Sequence, residues 1–173
     1  KKKKKKKNKK IKVIGIPTHL RLITGSGISK LNIPYGIRKH FKEKRFSKLG
    51  YLKFEFEYIE LISKIIEKIN DKFKIVIKVS PFEDPEIYKY AFPELEIHKG
   101  NDVRDFINNV DVILNVYSSI SVDALKFNIP VINLSKLVKW DEYILKNKKL
   151  GPSPGSYPSA INLGIKAKNF DDL

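Results

Sequence analysis

Four short runs of β-branched and apolar residues recur along this chain: IKVIGIP at residues 11–17, KFKIVIKVS at 72–80, DVILNV at 111–116 and IPVINL at 129–134. Their cores are apolar at nearly every position rather than at alternate ones, which suits strands covered on both faces. Pro17 and Pro81 punctuate the first two, because proline has no amide to donate to a ladder. The segments between them carry helical spacing. From Tyr51 to Asn70, Leu52, Phe56, Ile59, Ile62, Ile66 and Ile69 recur at intervals of three and four, predicting one long amphipathic helix with these six facing inward. Glu83 and Asp84 stand at the start of a short helix over 85–91, where acids meet the positive end of the helix dipole. LEIHKG, 95–100, reads as a short strand, and NDVRDFINNV, 101–110, as a helix capped by Asn101 or Asp102 with Val103, Phe106, Ile107 and Val110 inward. Strand and helix alternate, so the expected fold is α/β: a parallel sheet with helices on both faces, joined by right-handed crossovers. Residues 18–50 lack clean periodicity and read mainly as loop, with a helix near 36–48.

Charge narrows the functional classes once its position is considered. The formal charge is +16, but KKKKKKKNKK at residues 1–10 holds nine of the 35 basic residues; the remainder has 26 basic against 19 acidic, a net +7. A block of like charge with nothing apolar to bury reads as a disordered linker, with contact to an anionic membrane surface as its functional alternative. Nucleic acid is disfavoured, since no aromatic residues interleave the lysines. The sequence has no cysteine, which removes thiolate catalysis, thiolate metal sites and disulfides, and suits a cytoplasmic setting. His19, His40 and His98 are too scattered for a metal site, and no metal is expected. The absence of methionine, and a helical pattern that begins at NFDDL, suggest a piece of a longer protein: a linker over 1–10, then one α/β domain over 11–173.

In such a sheet, ligands meet the loops that follow the strands' carboxyl ends. NVYSSISVDALKFNIPVIN, 115–133, places Tyr117, Ser118 and Ser119 where a strand gives way to a helix, with Ser121 in the first turn and Asp123 beyond it. Unpaired amides and hydroxyls there suit a phosphate, and the Asp123 carboxylate suits the hydroxyls of a ribose or hexose; a plain serine cap and dipole pairing explain the same residues without a ligand. Lys78, ending its strand, is either a terminal lysine or a cation directed at the same crevice, with Ser80 and Pro81 shaping its loop. Glu83 and Asp84 are helix starters or site acids. TGSGIS, 24–29, reads as an ordinary loop with a phosphate cradle as its functional alternative, GPSPGSYPS, 151–159, as a loop that is a lid or a connection, and Trp140 as a core residue.

The order VIKVSPFED, then VRDFINNVDVILNVYSSISVDALKFNIPVINL, then GSYPSAINLGIKAKNFDDL resembles the C-terminal, donor-binding half of a GT-B glycosyltransferase of the bacterial surface or capsular polysaccharide type, over residues 72–173. The resemblance implies a Rossmann-like fold and a nucleotide-activated sugar as substrate, with no cofactor. It aligns Lys78 with the family's basic residue, Tyr117, Ser118 and Ser119 with the turn that meets donor phosphates, and Asp123 with the acid near donor hydroxyls. Ser80 stands where the family has histidine. It further implies a glycan or lipid-linked acceptor, an acceptor domain N-terminal to this chain, and a place at the inner membrane face. The catalytic residues stay unassigned. The serine turn is also similar to those of glycerophosphate-polymer transferases and, more distantly, of sugar-nucleotide epimerases with the same fold; a basic module for nucleic acid or an anionic surface is the alternative of a different class.

Overall fold

The computed structural model describes residues 11–18, 48–81, 83–100, 102–116, 118–138 and 163–173. In chain order these form β1 (Val13–Pro17), α1 (Lys48–Ile69), β2 (Lys74–Lys78), α2 (Pro85–Ala91), β3 (Glu96–His98), α3 (Val103–Asn108), β4 (Val112–Asn115), α4 (Ile120–Lys126), β5 (Val131–Asn133) and β6 (Ile165–Lys166), followed by a 3-10 turn at Phe170–Asp172. The expected elements at 1–10, 24–29 and 151–159, most of the 36–48 helix, and His19, His40, Tyr117 and Trp140 lie outside the described residues.

The sheet is parallel in every pairing, with strand order β3-β2-β1-β4-β5-β6. This is the expected α/β architecture. β1 sits at its centre, pairing Ile14 with Ile75 on one side and with Val112 on the other. The chain builds outward from β1 to β3, then returns to start β4 on the opposite flank. With right-handed crossovers, that reversal sends α1 and α2 to one face and α3 and α4 to the other.

Two separate cores record this division. On the first face, Tyr58, Leu61, Ile62, Ile65, Ile66 and Ile69 of α1 and Tyr88 of α2 pack with Ile14, Ile16, Ile75, Ile77, Val112 and Leu114. On the second, Phe106, Ile107 and Val110 meet Ala124 over Val76, Ile113 and Val131. Alternate residues of each strand feed alternate cores, as the pleat requires. Gly15 faces the second core, where a Cβ would stand 2.6 Å from Phe106 Cζ and 2.9 Å from Val110 Cγ1.

Helix α1 corrects one sequence expectation. Phe56, assigned to the inward face, is 63% exposed, whereas Tyr58, Leu61 and Ile65 are buried. Apolar residues surround most of this helix, so spacing alone selects more than one stripe; the sheet selects the one centred on Ile62, Ile65 and Ile69. Short-range caps fix the smaller helices. Asp84 accepts from the Glu86 amide at 3.0 Å with Pro85 at the first helical position, and Asp102 accepts from the Arg104 amide at 2.8 Å. Asp111 holds the opposite edge: one carboxylate oxygen accepts from the amides of Lys12 and Val13, both at 3.0 Å, which fastens the start of β1 to that of β4. The helical pattern expected at the end of the sequence is only the 3-10 turn, closed by reciprocal bonds of Asn169 and Asp172. β6 carries no sequence signal beyond two residues. No helix among the described residues is long and apolar enough to cross a membrane.

Candidate functional site

The strand order reverses between β1 and β4, so their carboxyl ends flank the position where open parallel sheets hold ligands. Thr18 follows β1 there, and the serine turn follows β4. The turn is built around Asn115, a fully buried residue at the end of β4. Its side-chain oxygen accepts from the Ser118 amide at 2.9 Å, and its side-chain amide donates to the Ser118 carbonyl at 3.0 Å. Ser121 is also fully buried, and its hydroxyl donates to the same carbonyl at 3.0 Å. The Ser118 hydroxyl accepts from the Ile120 amide at 3.4 Å.

These bonds revise the expected roles of two of the three serines. Ser121 is a buried brace and does not face solvent. Ser118 is nearly buried, and its amide, its carbonyl and one lone pair of its hydroxyl already serve the turn. Ser119 is the exposed member: it occupies the N-cap position of α4 with helical backbone angles and makes no side-chain capping bond. Its hydroxyl and amide have no partner among the described residues. Asp123 lies one turn further along α4, on the same side as Ser119 because residues four apart align on a helix. It is half-buried and pairs with Lys126 at 3.3 Å.

Lys78 is the clearest correction. It is 3% exposed, and its ammonium donates to the carbonyls of Val79 at 3.0 Å and Gly100 at 2.6 Å. Gly100 follows β3, on the flank of β2 remote from β4. With β1 intervening, Lys78 sits two strand spacings, roughly 10 Å, from the serine turn. Burial lowers its pKa, opposed in part by the Glu83 carboxylate. It ties the loop after β3 to the end of β2. An anion held between Lys78 and Asp123 does not fit this geometry. Ser80 is likewise buried, its carbonyl accepting from the Glu83 amide at 3.0 Å, so it forms the bend after β2.

Glu83 and Asp84, adjacent in sequence, part company. Asp84 caps α2. Glu83 is 4% exposed and accepts from the Thr18 hydroxyl at 2.6 Å and the Tyr88 hydroxyl at 3.0 Å. Thr18 also donates its amide to the Lys78 carbonyl at 2.9 Å, prolonging the β1–β2 ladder. Tyr58 donates to the Pro17 carbonyl at 2.7 Å, and burial, reinforced by Glu83, pushes its phenol well above the ordinary tyrosine range. The carboxyl end of β1 is therefore bordered by a braced polar cluster joining α1, α2, β1 and β2. His98 lies apart from it, on β3, its ring tilted against that of Phe106 with centroids 5.8 Å apart.

Asp123 also borders a cleft of about 450 Å³ between α3 and α4, lined by Asp102, Val103, Arg104, Asp123, Lys126 and Phe127. Sequence reasoning missed Asn115, Thr18, Arg104 and Phe127. Asn115 alone had a readable signal, a polar residue ending an apolar strand directly before the turn. Phe127 lies four residues beyond Asp123, at the C-cap of α4, whereas Arg104 joins the same cleft only through the packing of α3 against α4.

No family model matches the chain, and no curated protein matches it. Among solved structures, KpsC of Thermosulfurimonas dismutans, described as a beta Kdo 2,4 transferase, superposes with a TM-score of 0.41 at 13% identity, over 72% of this chain and 34% of that one. The chain thus spans about a third of the length of that structure, and a likeness at this level leaves fold and site to be read from the chain itself.

Proposed function

We propose that this chain is a sugar-nucleotide-binding domain of a glycosyltransferase that builds surface or capsular polysaccharide. The observation that carries the reading is the reversal of strand order between β1 and β4, with the exposed Ser119 at the start of the helix that follows β4, the position where open parallel sheets hold ligands. The donor's diphosphate lies across the carboxyl ends of these strands and accepts from the Ser119 amide and hydroxyl. Ser118 and Ser121, with Asn115, hold that turn in shape. A hydroxyl-bearing ring of the donor extends along α4 to Asp123.

In the transfer, the bond from the anomeric carbon to the diphosphate oxygen breaks and a bond to an acceptor hydroxyl forms. The departing diphosphate carries away the bonding electron pair, and Ser119 stabilises its charge by hydrogen bonds already in place. The acceptor's proton passes to a base contributed by an acceptor-binding domain, which is also where the glycan or lipid-linked acceptor sits. Such an enzyme works at the cytoplasmic membrane face, with the lysine run of residues 1–10 suited to its anionic lipids.

Calorimetric titration of the full chain with UDP, CDP and GDP at constant ionic strength tests the donor site. One nucleotide should bind saturably, and the Ser119→Ala, Asp123→Ala double variant should weaken it by roughly tenfold or more, the equivalent of a charge-assisted hydrogen bond. Affinity that ignores the double variant and falls only with salt would locate binding in the lysine run and refute the reading.

A further inference from the structure

The α3–α4 cleft has a chemistry different from that of the serine turn. Two carboxylates, Asp102 and Asp123, face two cations, Arg104 and Lys126, so the lining is charge-balanced. A diphosphate gains little from such a lining, because each attraction is matched by a repulsion of similar size. An uncharged ligand rich in hydroxyls suits it well: carboxylates accept from adjacent hydroxyls, and a guanidinium donates through a planar fork.

Apolar contact is available beside these groups. Phe127 is 45% exposed and Val103 lines the same cleft, offering a flat surface to the C–H face of a sugar ring. The Arg104 side chain has no partner among the described residues. The Asp123–Lys126 pair is exposed, and exposed pairs rearrange at little cost. At about 450 Å³ the cleft falls within the range of small-molecule sites.

We propose that this cleft binds a neutral carbohydrate through adjacent hydroxyls, as a site separate from the anion crevice. Asp123 borders both, whereas Arg104 and Phe127 belong to the cleft alone. The proposal does not need a nucleotide to bind at the serine turn.

Saturation-transfer NMR on the full chain tests it, with glucose, galactose, N-acetylglucosamine and maltose as neutral probes and pyrophosphate and uridine as counter-probes. At least one neutral sugar should saturate in the millimolar range. Arg104→Ala and Phe127→Ala should each weaken it by roughly fivefold or more, Phe127→Tyr should restore most of the affinity, and nucleotide binding should be unaffected by all three. The proposal is overturned if no sugar saturates, if sugar binding ignores Phe127 and Arg104, or if only pyrophosphate or uridine responds to these substitutions. Loss of nucleotide binding in the single Ser119→Ala variant reports on the serine turn alone, because Ser119 does not line the cleft, so the two readings fail independently.

Discussion

Asn115 and Asn133 are register partners at the carboxyl ends of β4 and β5, both fully buried, and each uses its side chain to shape the segment that follows. Asn115 clamps Ser118 through both its carbonyl and its amide. Asn133 accepts from the Ser135 amide at 2.9 Å and donates to the Leu163 carbonyl at 3.3 Å, linking β5 to the approach to β6. One residue type thus performs the same local task on adjacent strands, and the serine turn takes its shape from Asn115.

Asn115→Ala removes both clamps and leaves a buried Ser118 amide without its acceptor. The expected loss is about 2–3 kcal/mol of stability, read by urea denaturation. Asn115→Asp keeps the acceptor but loses the donor and buries a charge, so it should rescue little.

Gly15→Ala introduces a methyl group where Phe106 and Val110 already stand. Overpacking of this kind should cost about 1–3 kcal/mol. Phe106→Leu in the same chain should recover part of that loss, and a double-mutant cycle that shows simple additivity would contradict the contact.

Tyr58→Phe deletes the bond to Pro17 and should cost about 1 kcal/mol near pH 7. The sign of its pH dependence follows from the raised native pKa. The native state holds the phenol protonated while the unfolded chain ionises near pH 10, so the hydroxyl's contribution is complete below that value and is lost as pH rises above it. Denaturation of both proteins from about pH 7 to 11 should show the gap between them closing at the alkaline end.

Ser119→Ala and Ser121→Ala should separate binding from folding. Ser119 is exposed and makes no capping bond, so its loss should leave stability within about 0.5 kcal/mol while weakening nucleotide binding. Ser121 is fully buried and bonded to Ser118, so its loss should cost about 1 kcal/mol. The opposite assignment of effects would show that the exposed serine braces the turn.

Strands β1, β2, β4 and β5 were legible because they are apolar at consecutive positions, a signal that survives in any parallel α/β arrangement, whereas the two residues of β6 carried none. Helix α2 was read to its residue bounds, since Asp84 and Pro85 mark its start unambiguously. Phe56 was misplaced because α1 is apolar around much of its circumference, so periodicity fixes the helix but not its rotation. Lys78 was misread for a related reason. A lysine ending a strand has the same spacing whether its ammonium enters solvent or folds onto carbonyls, and Gly100, its partner, lies 22 positions away in sequence. Two of the turn's serines proved to be braces, a distinction set by the side chain of Asn115 and not by the serines themselves. Arg104 comes to line the same cleft as Asp123 only after two crossovers have placed α3 and α4 side by side.

The junction of β1 with β4 has a consequence for how the molecule assembles and comes apart. β1 pairs with β2 by Ile14 against Ile75, but its pairing of Ile14 with Val112 closes a longer loop, of almost a hundred residues. Contacts of such wide sequence separation form late, so this seam should zip last and set the folding rate. A ligand seated across it would touch both flanks at once, and occupancy would act as a rivet that slows their parting.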